Sequence, residues 1–420
     1  MKRKIGLFLL LVLLTSCFMI SNVGAAKQEQ IKLAIWDYSM NPELRTTVES
    51  FQKENPDIKV DVIDISNAEY INKMTVMLAG GEDIDVYAIK DLPSLSNYTG
   101  RNYLAPLDSF IKKSKVNVKP YGQSLNFFKS KGKTMALPFR SDVYILYYNK
   151  AIFDKAGVPY PTNDMTWQQF RETAKKLTHG TGNDKVWGAF LHSWKSQVMN
   201  QGVTQGNHNL IQGKYGFLKP AYNLFLKMQN EDKSIMNLGE IKTTSTHYRA
   251  FFESGKVGMC YMGSWYIGAL LDDKKAGKHN INWGVVKAPH WSGSIPGTTV
   301  SVLTTLGINA KSKKKDAAWK LVNYFTGEKG AMIHAKAGVS PGYRTSAILD
   351  AYTSTPGFPA GGKVALETVK TTVELPPSPV AAAIDRTLQE EHDLIMTNQK
   401  TVDQGIKDME RRVKAIIADQ

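Results

Sequence analysis

Residues 136–157 read ALPFRSDVYILYYNKAIFDKAG: once past Arg140 and Asp142 the chain is apolar from Val143 to Tyr148, then stops at Asn149 and Lys150. A short apolar run bounded by polar residues is the pattern of a strand buried on both faces. Arg140 and Asp142 stand where that strand begins, two residues apart and so on one face of an extended segment. They can satisfy each other as an ion pair, or they can point at something bound.

The neighbouring sequence supplies a setting for that strand. IKLAIW (31–36) is β-prone; Leu44, Val48 and Phe51 follow at helical spacing, and IKVDVIDI (58–65) alternates as a second strand. A helix over about 67–78 then leads through GGEDIDVYAI to a third strand. Strand and helix in alternation predict an α/β protein with mixed, mostly parallel sheets and helices on both faces. Ligands of such sheets bind beyond the carboxyl ends of the strands. Trp36 and Tyr38 follow the first strand and Lys90 and Asp91 the third, so these four are candidate site residues, with packing as the alternative for the tryptophan.

Further along, Gly157 reads as a helix C-cap and Thr166 as the N-cap of a helix carrying Trp167, Phe170, Ala174 and Leu177. HYRAFFESGKVGMCYMGSW (247–265) reads as helix, turn and short buried strand, with GSW opening the next helix.

At 420 residues the chain can bury two cores. MKRK followed by IGLFLLLVLLTSCFMI is an export signal and not a fold element, which sets residues 1–26 aside. Two cleavage readings stay open: LTSC (14–17) looks like a lipobox that would lipidate Cys17, while VGAA (23–26) suits ordinary processing. Beyond Cys17 only Cys260 remains, so stability rests on the core and not on an intramolecular disulfide. No later apolar run reaches the length of a membrane helix.

The formal net charge is +15, from 53 basic and 38 acidic residues. An anionic cell surface is the simpler reading of that excess, and an acidic ligand the other. No nucleic-acid motif accompanies it, and the dense KSKKK (311–315) precedes a helical pattern as a solvated loop. The eight histidines are scattered without metal-ligand spacing, so neither metal nor cofactor is expected. GVSPG (338–342) formally matches a hydrolase elbow at Ser340. That elbow needs a strand before it, whereas GAMIHAKAG is helical in pattern, so no catalytic residue is assigned.

Three blocks in order now carry a resemblance: the stretch from ALPFRSDVYILYYNK through TWQQFRETAKKLT, FFESGKVGMCYMGSW, and TLGINAKSKKKDAAWKLVNYFTGEKGA with GVSPGYRTS. Together they resemble extracellular solute-binding proteins of the family 1 type, which serve sugar ABC transporters. Ile84 departs from the proline that many members carry there.

The resemblance implies a two-lobed periplasmic-binding-protein-like fold that closes by hinge motion. One lobe would hold residues 28–140 with about 295–345, the other 141–294 with about 346–420. It implies capture of an oligosaccharide, neutral or uronate-containing, for an ABC permease, by a monomer outside the cytoplasm, lipid-anchored or free. Sugars need forked polar groups for hydroxyls and aromatic rings for C–H faces. On that basis Trp265, Trp194, Arg140, Asp142 and Arg344 join Trp36, Tyr38, Lys90 and Asp91 as ligand-binding candidates. The same fold with another solute (polyamine, iron or phosphonate) and an exported glycan-acting hydrolase are the alternatives.

Overall fold

The computed structural model describes residues 28–419 apart from 207, 368 and 369. The leader and Cys17 lie outside the described residues. The chain begins with β1 (Glu29–Trp36), the helix Pro42–Glu54 and β2 (Ile58–Ile65), which returns parallel to β1 in register from Glu29↔Ile58 to Trp36↔Ile65. A helix over Tyr70–Gly80 leads to β3 (Val86–Ile89), parallel to β1 on its other side. Helical spacing of Leu44, Val48 and Phe51 is what packs the first helix onto this sheet, since all three are buried.

After the small hairpin of β4 (Lys129–Ser130) and β5 (Lys133–Thr134) comes β6 (Leu137–Asn149), the strand containing the apolar run. Further strands are β7 (Trp187–Phe190), β8 (Val257–Gly263), β9 (Trp283–Lys287), β10 (Thr298–Ile308) and β11 (Lys370–Thr372). In the main path the order is β2-β1-β3-β10-β6-β8-β7. β1, β2 and β3 are mutually parallel, as are β7 with β8 and β10 with β11. β10 instead runs antiparallel to both β3 and β6, and β6 antiparallel to β8 and β9.

β6 is long because it serves two cores. Leu137 and Phe139 pack with β1, β2 and β3 in one apolar cluster, which also takes Leu306 and Ile308 of β10. Past Asp142 the strand splits by parity: Tyr144, Leu146 and Tyr148 enter a second cluster, and Val143, Ile145 and Tyr147 a third on the opposite face. Burial on both faces is the physical reason the segment shows no polar alternation. The molecule thus has two lobes, joined by β6 and β10. Ile348 and Tyr352, beyond the border expected near residue 345, still pack into the first core.

Local signals lie where expected. Thr166 forms a full capping box with Gln169 at the helix Trp167–Leu177, and Gly157 ends Lys150–Ala156 at φ 63. Cys260 is buried in β8, and burial pushes its thiol pKa up, away from the reactive thiolate. Among the described residues no helix is long and apolar enough to cross a membrane.

Two imidazoles sit inside the cores. His334, against Thr47 (3.3 Å), and His392, against the Tyr222 hydroxyl (3.2 Å), are each lowered to about 3, mainly by burial. The unfolded chain binds these protons below about pH 6.5 and the folded chain does not, so stability is lost as pH falls from about 6.5 toward 3. Each imidazole adds a slope of up to about 1.4 kcal/mol per pH unit in that window. Melting followed from pH 7 to pH 4 should therefore show a shallower decline for His334→Gln than for the parent; equal slopes would remove His334 from the account.

Candidate ligand-binding cleft

In the first lobe, β1 and β3 end side by side, and their carboxyl ends carry the residues singled out from sequence. Trp36 meets Tyr70 edge-on at 5.1 Å, and Lys90 Nζ lies 5.4 Å from the indole centroid. The Tyr70 hydroxyl donates to Ala34 O and Ala88 O, which locks the two strand ends together. Lys90 Nζ also donates to Asn67 O (2.9 Å) and Oδ1 (2.6 Å). At 7% exposure Trp36 is chiefly a packing residue, with Lys90 over it. Asp91 accepts from Ser94 N (2.7 Å) and so caps the helix Leu92–Gly100; burial raises its pKa against that bond. Tyr38 is half-buried, its N–H held by Asp64.

The floor is the crossing of β6 between the cores. Asp142 is 1% exposed. Its Oδ1 accepts from Ser264 Oγ (2.7 Å), and its Oδ2 lies 3.5 Å from Arg140 Nε. Arg140 and Asp142 therefore form the ion pair that their spacing allows. Burial raises the Asp142 pKa, opposed first by Arg140. At 3.5 Å the contact is too long for a good hydrogen bond. Among the described residues the buried Arg140 Nε accordingly has no hydrogen-bond partner.

Ser141 O accepts from Ser340 Oγ (2.8 Å) and from the Arg344 guanidinium, whose Nε also donates to Pro341 O (3.2 Å). Arg344 thus pins the segment 340–344 across β6. Ser340, the formal elbow serine, is committed to a backbone carbonyl and 4% exposed.

The second lobe supplies the aromatic wall. Trp265 starts the helix Trp265–Lys275, half-buried, edge-on to Tyr144 at 5.4 Å and 6.3 Å from Trp194. A Cβ on Gly263 would fall 1.9 Å from the Trp265 ring, so the glycine of GSW is what lets the indole lie back over the strand. Trp194 stacks on His192 at 4.4 Å and meets Tyr248 at 6.0 Å. Below it Lys195 is clasped by Asp385 (2.7 Å) and Glu374 (3.0 Å); burial opposes its charge, but the two carboxylates overcome that and hold its pKa up.

His247 of the second lobe, whose pKa burial lowers, feels the charge of Asp37 in the first, which acts the other way. Ser378 N donates to Ser96 Oγ (3.1 Å), tying the lobes at one end.

All nine sequence candidates are placed. Trp36 and Lys90 meet at the ends of β1 and β3 with Tyr38 and Asp91 next to them in the chain, Arg140, Asp142 and Arg344 gather at the β6 crossing, and Trp194 lies beside Trp265 in the second lobe. Sequence reasoning passed over Glu43, Asn67, His247 and Tyr248. Glu43 is 5% exposed, its pKa raised by burial and lowered by Arg140. Its place behind Pro42 in a first helical turn reads as an ordinary favourable helix-end charge, and no spacing marks it out.

Two α/β lobes, crossed by shared strands and facing each other over a polar floor and an indole wall, define a hinged two-lobe solute-binding protein. The comparisons agree: residues 26–332 match the family model described as bacterial extracellular solute-binding protein. The chain belongs to that family, which places it outside the cytoplasm. A sugar transporter of Rhizobium etli in an open conformation is 41% identical, covers 92% of this chain and 99% of its own, and superposes with a TM-score of 0.78. An ABC substrate-binding protein of Listeria monocytogenes in complex with cycloalternan shares the fold at 22% identity and TM-score 0.82, covering 93% of this chain and 99% of its own. Among curated proteins, the arabinooligosaccharide-binding protein of Bacillus subtilis is 24% identical over 289 residues, 65% of this chain and 65% of that protein.

Proposed function

We propose that this protein captures an oligosaccharide in the cleft and delivers it unchanged to the permease of a carbohydrate ABC importer. The observation that carries this reading is the pairing of two indoles, Trp194 and Trp265, with the charged Arg140–Asp142 pair at the β6 crossing. Aromatic faces suit sugar C–H patches, and forked charged groups suit hydroxyls. The matching family is one of solute-binding proteins, and the Listeria monocytogenes and Bacillus subtilis relatives are described as binding proteins, which supports binding without catalysis.

On this reading the lobes are residues 28–140 with about 295–345 and 141–294 with about 346–420, hinged through β6 and β10, and the protein acts as a monomer. Trp194, Trp265, Arg140, Asp142, Arg344, Lys90 and Tyr38 contact the ligand, while Trp36 and Asp91 chiefly shape its wall. Opposed charges at the floor favour a neutral saccharide over a uronate. A polyamine would meet two guanidinium groups there.

Melting curves against a panel of neutral and uronate oligosaccharides test the proposal, with chromatography of the recovered sugar. A ligand at a hundredfold excess over Kd stabilises the closed form by about 2.7 kcal/mol. The reading fails if no saccharide moves the midpoint, or if the sugar returns cleaved.

We further propose a lipid on Cys17. Expression of Cys17→Ala should then release protein into the soluble fraction that the parent keeps on the membrane; identical partition of the two would leave only ordinary processing at VGAA.

A further inference from the structure

Lysines are unevenly placed on the first lobe. Between Asp108 and Asp142 the chain carries seven lysines and no carboxylate, and between Asp273 and Asp316 a second acid-free stretch ends on KSKKK (311–315). Folding brings the two together. Lys113 Nζ lies 3.5 Å from Asp316, and Trp319 Nε1 donates to Ser114 Oγ (2.7 Å), which joins the helix Asp108–Lys113 to the segment after 311–315. Thr134 N donates to Asp108 Oδ2 (3.1 Å), which draws in the β4–β5 hairpin.

This assembly sits at the end of the lobe opposite the cleft. β1, β3 and β6 run in one direction, with Trp36, Lys90 and Asp142 toward the cleft. Asp85, just before β3, accepts from Lys32 N (3.0 Å) near the start of β1 and from Ser312 Oγ (2.6 Å). The hairpin immediately precedes β6. The chain also enters the fold here, since Glu29 opens β1.

All seven lysines between Lys112 and Lys133 are exposed, and only Lys113 makes an ion pair among the described residues. Two of them occupy positions that disfavour lysine. Lys115 and Lys131 have left-handed backbone, φ 51 and 47, and Lys131-Gly132 makes the two-residue hairpin turn that Asn-Gly would make with less strain. Turn tips project side chains outward. No large apolar side chain is exposed within 108–134 or 311–315, so nothing there is built to insert into hydrocarbon.

We propose that this lysine face docks reversibly on an anionic bilayer, meeting phospholipid headgroup phosphates without insertion, so that the cleft is turned away from the membrane toward incoming solute until the protein leaves the bilayer surface for delivery. This goes beyond solute capture. Lysines spread over three separate segments form a broad face and not a groove tracking one polymer strand, and the entry of the chain at the same end sets the face toward any membrane to which its N-terminal segment leads. Such adsorption weakens as salt rises.

The test is co-sedimentation of the processed chain with vesicles of phosphatidylglycerol and phosphatidylcholine, against phosphatidylcholine alone. Lys112→Glu/Lys115→Glu/Lys131→Glu/Lys133→Glu is compared with the same reversal at four exposed lysines elsewhere: Lys214, Lys274, Lys275 and Lys336. Anionic vesicles should bind the parent and neutral ones should not. The face variant should lose at least about tenfold in affinity and the other variant far less, while both keep the parent's melting midpoint. Equal loss in the two variants would reduce the effect to net charge and overturn the proposal. So would tighter binding to soluble linear polyphosphate than to vesicles, which would make the partner a polymer.

Discussion

Trp265→Ala should leave the protein folded and remove the stabilisation that a bound saccharide confers. The indole stands at a helix start, half-buried against Tyr144, so its loss opens the wall without emptying a core. Truncating a central aromatic anchor typically costs at least about 2 kcal/mol of binding, roughly thirtyfold in Kd. Calorimetry with the best saccharide of the panel gives the number. Trp265→Phe should recover part of the affinity, because a flat ring persists. Unchanged affinity in Trp265→Ala would take the residue out of the site and leave Trp194 to stack alone.

The second large effect concerns the floor. Asp142→Ala leaves Arg140 with its charge at a 14% exposed position and takes away the acceptor of Ser264 Oγ. Removing one partner of a buried pair costs about 3 kcal/mol or more, since the remaining charge is uncompensated. Urea unfolding should record that loss. Replacing both partners, Arg140→Met with Asp142→Leu, should restore most of the stability, because the desolvation of both charges disappears together. Saccharide binding should not return in the double variant if the pair also holds the ligand. A double variant that folds and binds normally would reduce the pair to a structural device.

These two experiments probe different kinds of residue, and the difference bears on what could be read in advance. The apolar run from Val143 to Tyr148 marked a strand buried on both faces, and parity then distributes it between two clusters as any strand must. Thr166 and Gly157 announced their helix ends because capping is local chemistry. Trp36 and Lys90 were legible as neighbours, since parallel strands put their carboxyl ends on one side.

The roles at those positions were not legible. Asp91 turned out to spend its carboxylate on Ser94 N, and Lys90 much of its ammonium on Asn67, partners that depend on where loops fold back. Glu43 gave no signal at all. Its proximity to Arg140 joins segments almost a hundred residues apart, and nothing periodic in either segment encodes that meeting.

By itself, then, the order of residues determined the elements, the strand ends and the family, because propensity, capping and hydrophobic period act over a few residues. Only the tertiary structure decided that β6 and β10 are shared by two cores, that Arg140 Nε at their crossing has no hydrogen-bond partner among the described residues, and that two acid-free stretches meet at the far end of one lobe. Burial and charge pairing are properties of what lies across the fold from a residue, and that neighbour is seldom the next one in the chain.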